Sequence, residues 1–253
     1  MNLTTLTPRQ KQLRKRILEI SHNQGLSHLG SCLSSIDIID AIHQLKKPGE
    51  PFVLSNGHAG IALYAVLESL GLVNDQEIKS MNIHPDRNAD RGIDVSTGSL
   101  GQGLPIALGM ALADKSSNVY CLISDGEIAE GSIWEALRVS SQLNLTNLKL
   151  VLNANGWGAY DQIDLSPISK RFESFGWQVD EVDGHLTDAI LGKISQTSPI
   201  PRVVMANTSV EHFPFLKGQD AHYYKMTEAD FRSALQILEP TILEKPVDQV
   251  VYE

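Results

Sequence analysis

"NVYCLISDGEIAEGSIWEALRVSSQLNLTNLKLVLNAN", residues 118–155, decides the fold. "NVYCLIS" reads as a buried strand that runs into Asp125. "SIWEALRVSSQLNL" has helical periodicity, and "LKLVLNAN" is a second buried strand that runs into Asn155. Strand, helix and strand of these lengths form a right-handed crossover between parallel neighbours, covered on both faces.

The same rhythm continues outward. Downstream come the helical "SPISKRFESFG", the strand "WQVDEV", the helix "HLTDAILGKIS", the strand "PRVVMAN" and the amphipathic helix "TEADFRSALQIL". Upstream, "TPRQKQLRKRILEISHNQG" predicts a capped helix that stops at Gly25. "SSIDIIDAIHQL" predicts a second, with Ser34 or Ser35 as its cap. "PFVLS" is a short strand, followed by helices over "GHAGIALYAVLESLGL" and "GQGLPIALGMALADK". The expected class is α/β: a parallel sheet with helices on both faces. No linker composition divides the 253 residues, so one domain is expected over 1–253, with a peripheral tail at about 239–253.

Composition excludes several functions. A formal net charge of −9 argues against a nucleic-acid partner. No run approaches the length of a membrane span, and "MNLTTLTPRQKQ" lacks the apolar core of a signal peptide. Two cysteines, Cys32 and Cys121, cannot make a disulfide framework and fit a reducing compartment. A cytoplasmic protein is expected.

Ligands of open parallel sheets sit beyond the carboxyl ends of the strands. Asp125 and Asn155 are placed there, on neighbouring strands. A carboxylate, an amide and a backbone carbonyl form a hard-oxygen set suited to Mg²⁺ or Ca²⁺. Gly126 lets backbone N–H groups approach a phosphate. Taken singly, Asp125 also reads as a helix cap and Asn155-Gly156 as a turn.

Distant segments break that tie. Asp125-Gly126 with Asn155 30 positions after Asp125 resembles the thiamine diphosphate fingerprint. "SHLGSCLSSIDII" (27–39), "LSNGHAGIALYAVL" (54–67), "HPDRNADRGIDVSTGSLGQGLPIALGMALA" (84–113) and "SDGEIAEGSIWEAL" (124–137) resemble, in order and spacing, the amino-terminal half of transketolase. The resemblance weakens after about Asp183.

The resemblance implies a thiamine diphosphate-binding domain of the type that holds the diphosphate. It implies metal ligands Asp125, Asn155 and the Trp157 carbonyl. It places Gly126 and His58 at the diphosphate, and Gly98 and Leu100 at the aminopyrimidine. His28 and His84 fall where the family contacts donor hydroxyls. His222 falls at a further active-site position, although "NTSVEHFPFLKGQDAHYY" departs from the family there and His212 competes for that place. Glu130 falls where the family has a carboxylate network across a subunit interface; its plain reading is first-turn helix charge.

The implied reaction moves a two-carbon ketol unit from a ketose, such as a sugar phosphate, to an aldose. The family's pyrimidine-binding and carboxy-terminal domains find no counterpart in 253 residues. The expectation is a split enzyme in which a second chain supplies both, two copies of each forming a heterotetramer. Other thiamine diphosphate classes offer alternatives: a 2-oxo acid dehydrogenase alpha-like chain or a deoxyxylulose phosphate synthase-like chain. A non-catalytic binding role is a further alternative.

Overall fold

The computed structural model describes residues 6–218 and 223–239. His222 and nearly all of the expected tail lie outside them. The first helix, α1 (Pro8–Gln24), starts and stops as its sequence predicts. Thr7 Oγ1 accepts from Gln10 N at 3.2 Å, and the Gln10 side chain accepts from Thr7 N at 3.0 Å, a reciprocal cap. Gly25 closes the helix in the left-handed conformation, φ 61°.

α2 (Leu29–Leu45) corrects the expected start at Ser34 or Ser35. The helix begins five residues before Ser34, after His28, which itself holds φ 63°. Ser34 and Ser35 are buried inside it and give no cap. Their hydroxyls instead accept from Asn153 Nδ2 at 2.9 and 3.0 Å, tying the helix to a strand end.

The rest follows the predicted order, with one short unpredicted helix added between the third and the next long one. β1 (Phe52–Leu54), α3 (Gly60–Ser69), the short α4 (Asp75–Ile78), α5 (Gly103–Ala113), β2 (Val119–Ser124) and α6 (Gly131–Gln142) lead to β3 (Leu148–Ala154). α7 (Ile168–Ser174), β4 (Gln178–Asp183), α8 (Thr187–Ile194), β5 (Arg202–Asn207) and α9 (Glu228–Leu238) complete it. The five strands form one sheet in the order β1-β2-β3-β5-β4. All four pairings are parallel.

Alternation along the strands splits the core into two layers. Leu122, Val151 and Val204 face α1, α2, α3 and α8. Cys121, Ile123, Leu150 and Leu152 face α5, α6 and α7. Buried on both sides, β2 must be apolar throughout, and its first polar residues come only where it leaves the sheet. Ser124 pairs with Asn153, so Asp125 and Asn155 emerge from adjacent strands at nearly the same height. Among the described residues no helix is long and apolar enough to cross a membrane.

Candidate active site

Asp125 is completely buried where β2 leaves the sheet. Its Oδ2 accepts from Gly156 N at 2.6 Å and its Oδ1 from Gly126 N at 2.9 Å. Those backbone donors stabilise the anion, but burial outweighs them and pushes the carboxyl up to about 7. A buried carboxylate held only by amide N–H groups favours a bound cation, which would offset its lost hydration.

One strand over, Asn155 Oδ1 accepts from Trp157 N at 2.9 Å. This side-chain-to-backbone turn holds Trp157 beside the strand end. A cavity of about 550 Å³, partly open to solvent, is lined by Asn155, Trp157, Gly30, Ser31, Ser34 and Ser209. Among the described residues there is no cluster of three or more His, Cys, Asp or Glu able to hold a metal. A site built on Asp125, Asn155 and a carbonyl has one charged protein ligand, so waters and ligand phosphate oxygens must complete the shell of a hard cation. The residues present fit that kind of metal–diphosphate group.

Three candidate histidines converge. The His28 ring centroid lies 5.5 Å from that of His58 and 6.1 Å from that of His84. His58 sits in a single helical turn, Gly57–Ala59, and is nearly buried, whereas His84 is exposed. The His84 ring packs against Gly98, so "NGHA" and "STGSLGQG" meet at one place. A Cβ on Gly57 would lie 2.7 Å from Gly98 N, which explains a glycine there. Leu100 is half-buried in the same loop. Gly126 is less constrained by the protein itself: a Cβ there would find its nearest atom at 3.6 Å. Any need for glycine at 126 therefore comes from what binds.

Glu130 is exposed at the start of α6 and lies against Gly101 of that loop. His212 is placed elsewhere, with its ring 6.5 Å from that of His185. Burial, beside Arg14 and His185, pushes it down to about 3. His222 lies outside the described residues; its neighbour Tyr223 has its ring 5.5 Å from that of His28.

Two further residues at this edge have a role that the sequence does not assign. Glu127 is fully buried and accepts from Ser55 Oγ at 2.6 Å, Gly101 N at 3.0 Å and Ser124 N at 3.0 Å. Its signal was present: "SDGE" has the S-x-x-E spacing of a capping box. Asn153 is also fully buried, and its Oδ1 accepts from Thr208 Oγ1 at 2.6 Å. It joins β3, β5 and α2 beneath the cavity.

The family model described as "Transketolase, thiamine diphosphate binding domain" matches residues 47–230. The 6-deoxy-6-sulfo-D-fructose transketolase subunit SqwG of Clostridium sp. (strain MSTE9) is 34% identical over 257 residues, covering 90% of this chain and 94% of that protein. One of the subunits of the apulose-4-phosphate transketolase of Actinobacillus succinogenes is 27% identical and covers 89% of this chain and 92% of that protein. The crystal structure of transketolase from Campylobacter jejuni superimposes with a TM-score of 0.75 at 23% identity. That match covers 94% of this chain and 47% of that one, a likeness of fold. A family model spanning most of the chain, and a relative matched over nearly its whole length, show that this chain belongs to the transketolase family through its thiamine diphosphate-binding domain.

Proposed function

We propose that the cavity beyond β2 and β3 is one half of a ketol-transfer site, completed by a second chain carrying the pyrimidine-binding and carboxy-terminal domains. The observation that carries this reading is the convergence of the His28, His58 and His84 rings at the sheet edge where the buried Asp125 carboxylate emerges. Asp125, Asn155 and the Trp157 carbonyl hold Mg²⁺ or Ca²⁺. Gly126 and His58 serve the diphosphate, and Gly98 and Leu100 serve the aminopyrimidine. When bound, thiamine diphosphate supplies the carbon that takes and returns the two-carbon unit.

This chain's own groups do the rest. His28 and His84 hold the donor's hydroxyls, and an imidazole nitrogen takes the hydroxyl proton released as the ketose C–C bond breaks. His222, which lies outside the described residues, is proposed for a further active-site role. Glu130, exposed beside Gly101, meets the partner chain. Two copies of each chain make a heterotetramer. A cytoplasmic location accords with two buried free thiols. Two relatives are named as subunits of transketolases for a sulfo-sugar and a sugar phosphate. A ketose with a terminal anionic group is therefore the proposed donor class.

Reconstitution tests this reading. The chain, its partner, thiamine diphosphate and Mg²⁺ should together transfer a two-carbon unit from ketose to aldose. Loss of turnover in Asp125→Ala is expected; full turnover by this chain alone, without a partner, refutes the split site.

A further inference from the structure

Beside the cofactor cavity lies a second, wider opening that the reaction above does not use. It is an open bowl of about 1280 Å³, lined by Ala159, Tyr160, Phe215, Lys217, Tyr223, Tyr224 and Lys225. Two cations and four aromatic rings make up most of that wall, and none of its described lining residues is acidic. Lys217 and Lys225 are both exposed. No ion pair or hydrogen bond among the described residues engages either ammonium. The two carboxylates that open α9 just after Lys225 are occupied: Glu228 by Arg232 at 2.7 Å, and Asp230 by the Tyr224 hydroxyl at 2.7 Å. The patch is cationic on a chain of net charge −9.

The bowl adjoins the reactive end of the site at two points. Tyr223, on its wall, has its ring 5.5 Å from the ring of His28. Gly218, next to Lys217, packs on the Trp157 indole and lines the cofactor cavity with it. A sugar whose hydroxyls meet His28 and His84 can thus extend past Tyr223 into the bowl. Tyrosine rings offer flat faces for the sugar's C–H surfaces and hydroxyls for its oxygens. Two ammoniums offer point charges for a terminal anion, a role that lysine fills without fixed geometry.

We propose that Lys217 and Lys225, with Tyr160 and Tyr223, form an anion-reading mouth on this chain for the terminal tetrahedral oxyanion, phosphate or sulfonate, of the donor ketose. The inference deepens the proposed ketol-transfer function and rests on it for the identity of the donor. It assigns part of the substrate's charge recognition to the chain that also binds the diphosphate.

Two measurements test it separately. In the first, inorganic phosphate and then sulfate are titrated into this chain with thiamine diphosphate and Mg²⁺ present, and backbone amide resonances are followed. Saturable shifts at Tyr160 and Tyr223, lost in K217Q/K225Q, are expected; no saturable shift there, or the same shift in the variant, overturns the mouth. In the second, the reconstituted pair is assayed with one ketose in three forms: unsubstituted, terminally phosphorylated and terminally sulfonated. The ratio of kcat/KM for the charged forms over the neutral form should fall about 10-fold for each lysine removed, the lower end for a charge-assisted contact. It should also fall with rising salt in the wild-type pair. A ratio unchanged in K217Q/K225Q overturns the proposal. A fall for phosphate alone, or for sulfonate alone, supports it and names the anion. Anion shifts without any ketose turnover sink the ketol-transfer reading and leave the mouth standing.

Discussion

Ser55, the residue after β1, gives its hydroxyl to the Glu127 carboxylate at 2.6 Å, and both residues are fully buried. The same carboxylate takes the N–H groups of Gly101 and Ser124. One side chain therefore sets the ends of β1 and β2 and the loop bearing Gly98 and Leu100 relative to one another. Glu127→Gln keeps the shape but turns an NH₂ toward one of those N–H groups, leaving a buried donor without an acceptor. The expected cost is about 1–3 kcal/mol in urea denaturation, with weaker thiamine diphosphate binding by calorimetry. An unaltered unfolding midpoint would show that Glu127 is not the joint.

Asp125 is a second buried carboxylate at this edge. Burial raises its pKa from 3.8 to about 7, so between those values the folded chain holds a proton that the unfolded chain has released. Stability from this group is then lost as pH rises through that window, by up to about 4 kcal/mol. Asp125→Asn cannot ionise. Without metal, its stability relative to wild type should improve as pH rises from about 4 to about 8. Adding Mg²⁺ with thiamine diphosphate should raise the melting temperature of the wild type and leave the Asn variant unmoved. A stability difference that stays flat with pH refutes the buried anion.

Asp37 runs the other way. Burial alone would raise its pKa, but hydrogen bonds from His185 and Arg14 and the Arg14 charge together hold it below the usual 3.8. Arg14 Nη1 and His185 Nδ1 both reach the carboxylate at 2.9 Å. His185 Nε2 in turn accepts from Ser209 N at 3.0 Å, so the network reaches the cavity wall. Asp37→Asn leaves Arg14 buried without its counter-charge and should cost about 3–5 kcal/mol at neutral pH. A depressed carboxylate contributes above its unfolded pKa and loses that contribution as pH falls. The gap between wild type and variant should therefore narrow below about pH 3.8. A gap that stays constant into acid would assign the loss to packing.

Much of the frame was legible because β2 is buried and apolar until it leaves the sheet, and β3 is apolar from Leu150 to Leu152 before its polar end, which marks Asp125 and Asn155. α2 starts earlier than its sequence suggests for a physical reason. Gly30, Ser31, Ser34 and Ser35 are small residues packed inside the protein, so no polar face or cap announces the first turns. Glu127 was missed because a carboxylate in a helix-opening sequence is ordinarily solvated charge; only the fold shows that Ser55 and Gly101 close over it. The Arg14–Asp37–His185 network joins positions up to 171 residues apart, and no local pattern encodes such a contact. The convergence of three histidines came from family resemblance, since a lone His has no period to read.

Gly57 gives a prediction with its own control. A Cβ at this position would stand 2.7 Å from Gly98 N and from the Thr97 carbonyl carbon, and backbone atoms cannot swing aside as a side chain can. Gly57→Ala must push the 97–101 loop away from the turn that carries His58. The expected cost is about 1–3 kcal/mol, together with weaker thiamine diphosphate binding, because the two displaced segments are the proposed cofactor contacts. Gly109, inside α5, has nothing within 4 Å of the same added atom. There alanine only removes backbone freedom from the unfolded chain, and Gly109→Ala should stabilise this chain by about 0.5–1 kcal/mol. Denaturant unfolding of both variants reads the two signs directly. Equal effects at the two glycines would mean that the Gly57–Gly98 approach does not constrain the loop, and that the histidine cluster is positioned by other contacts.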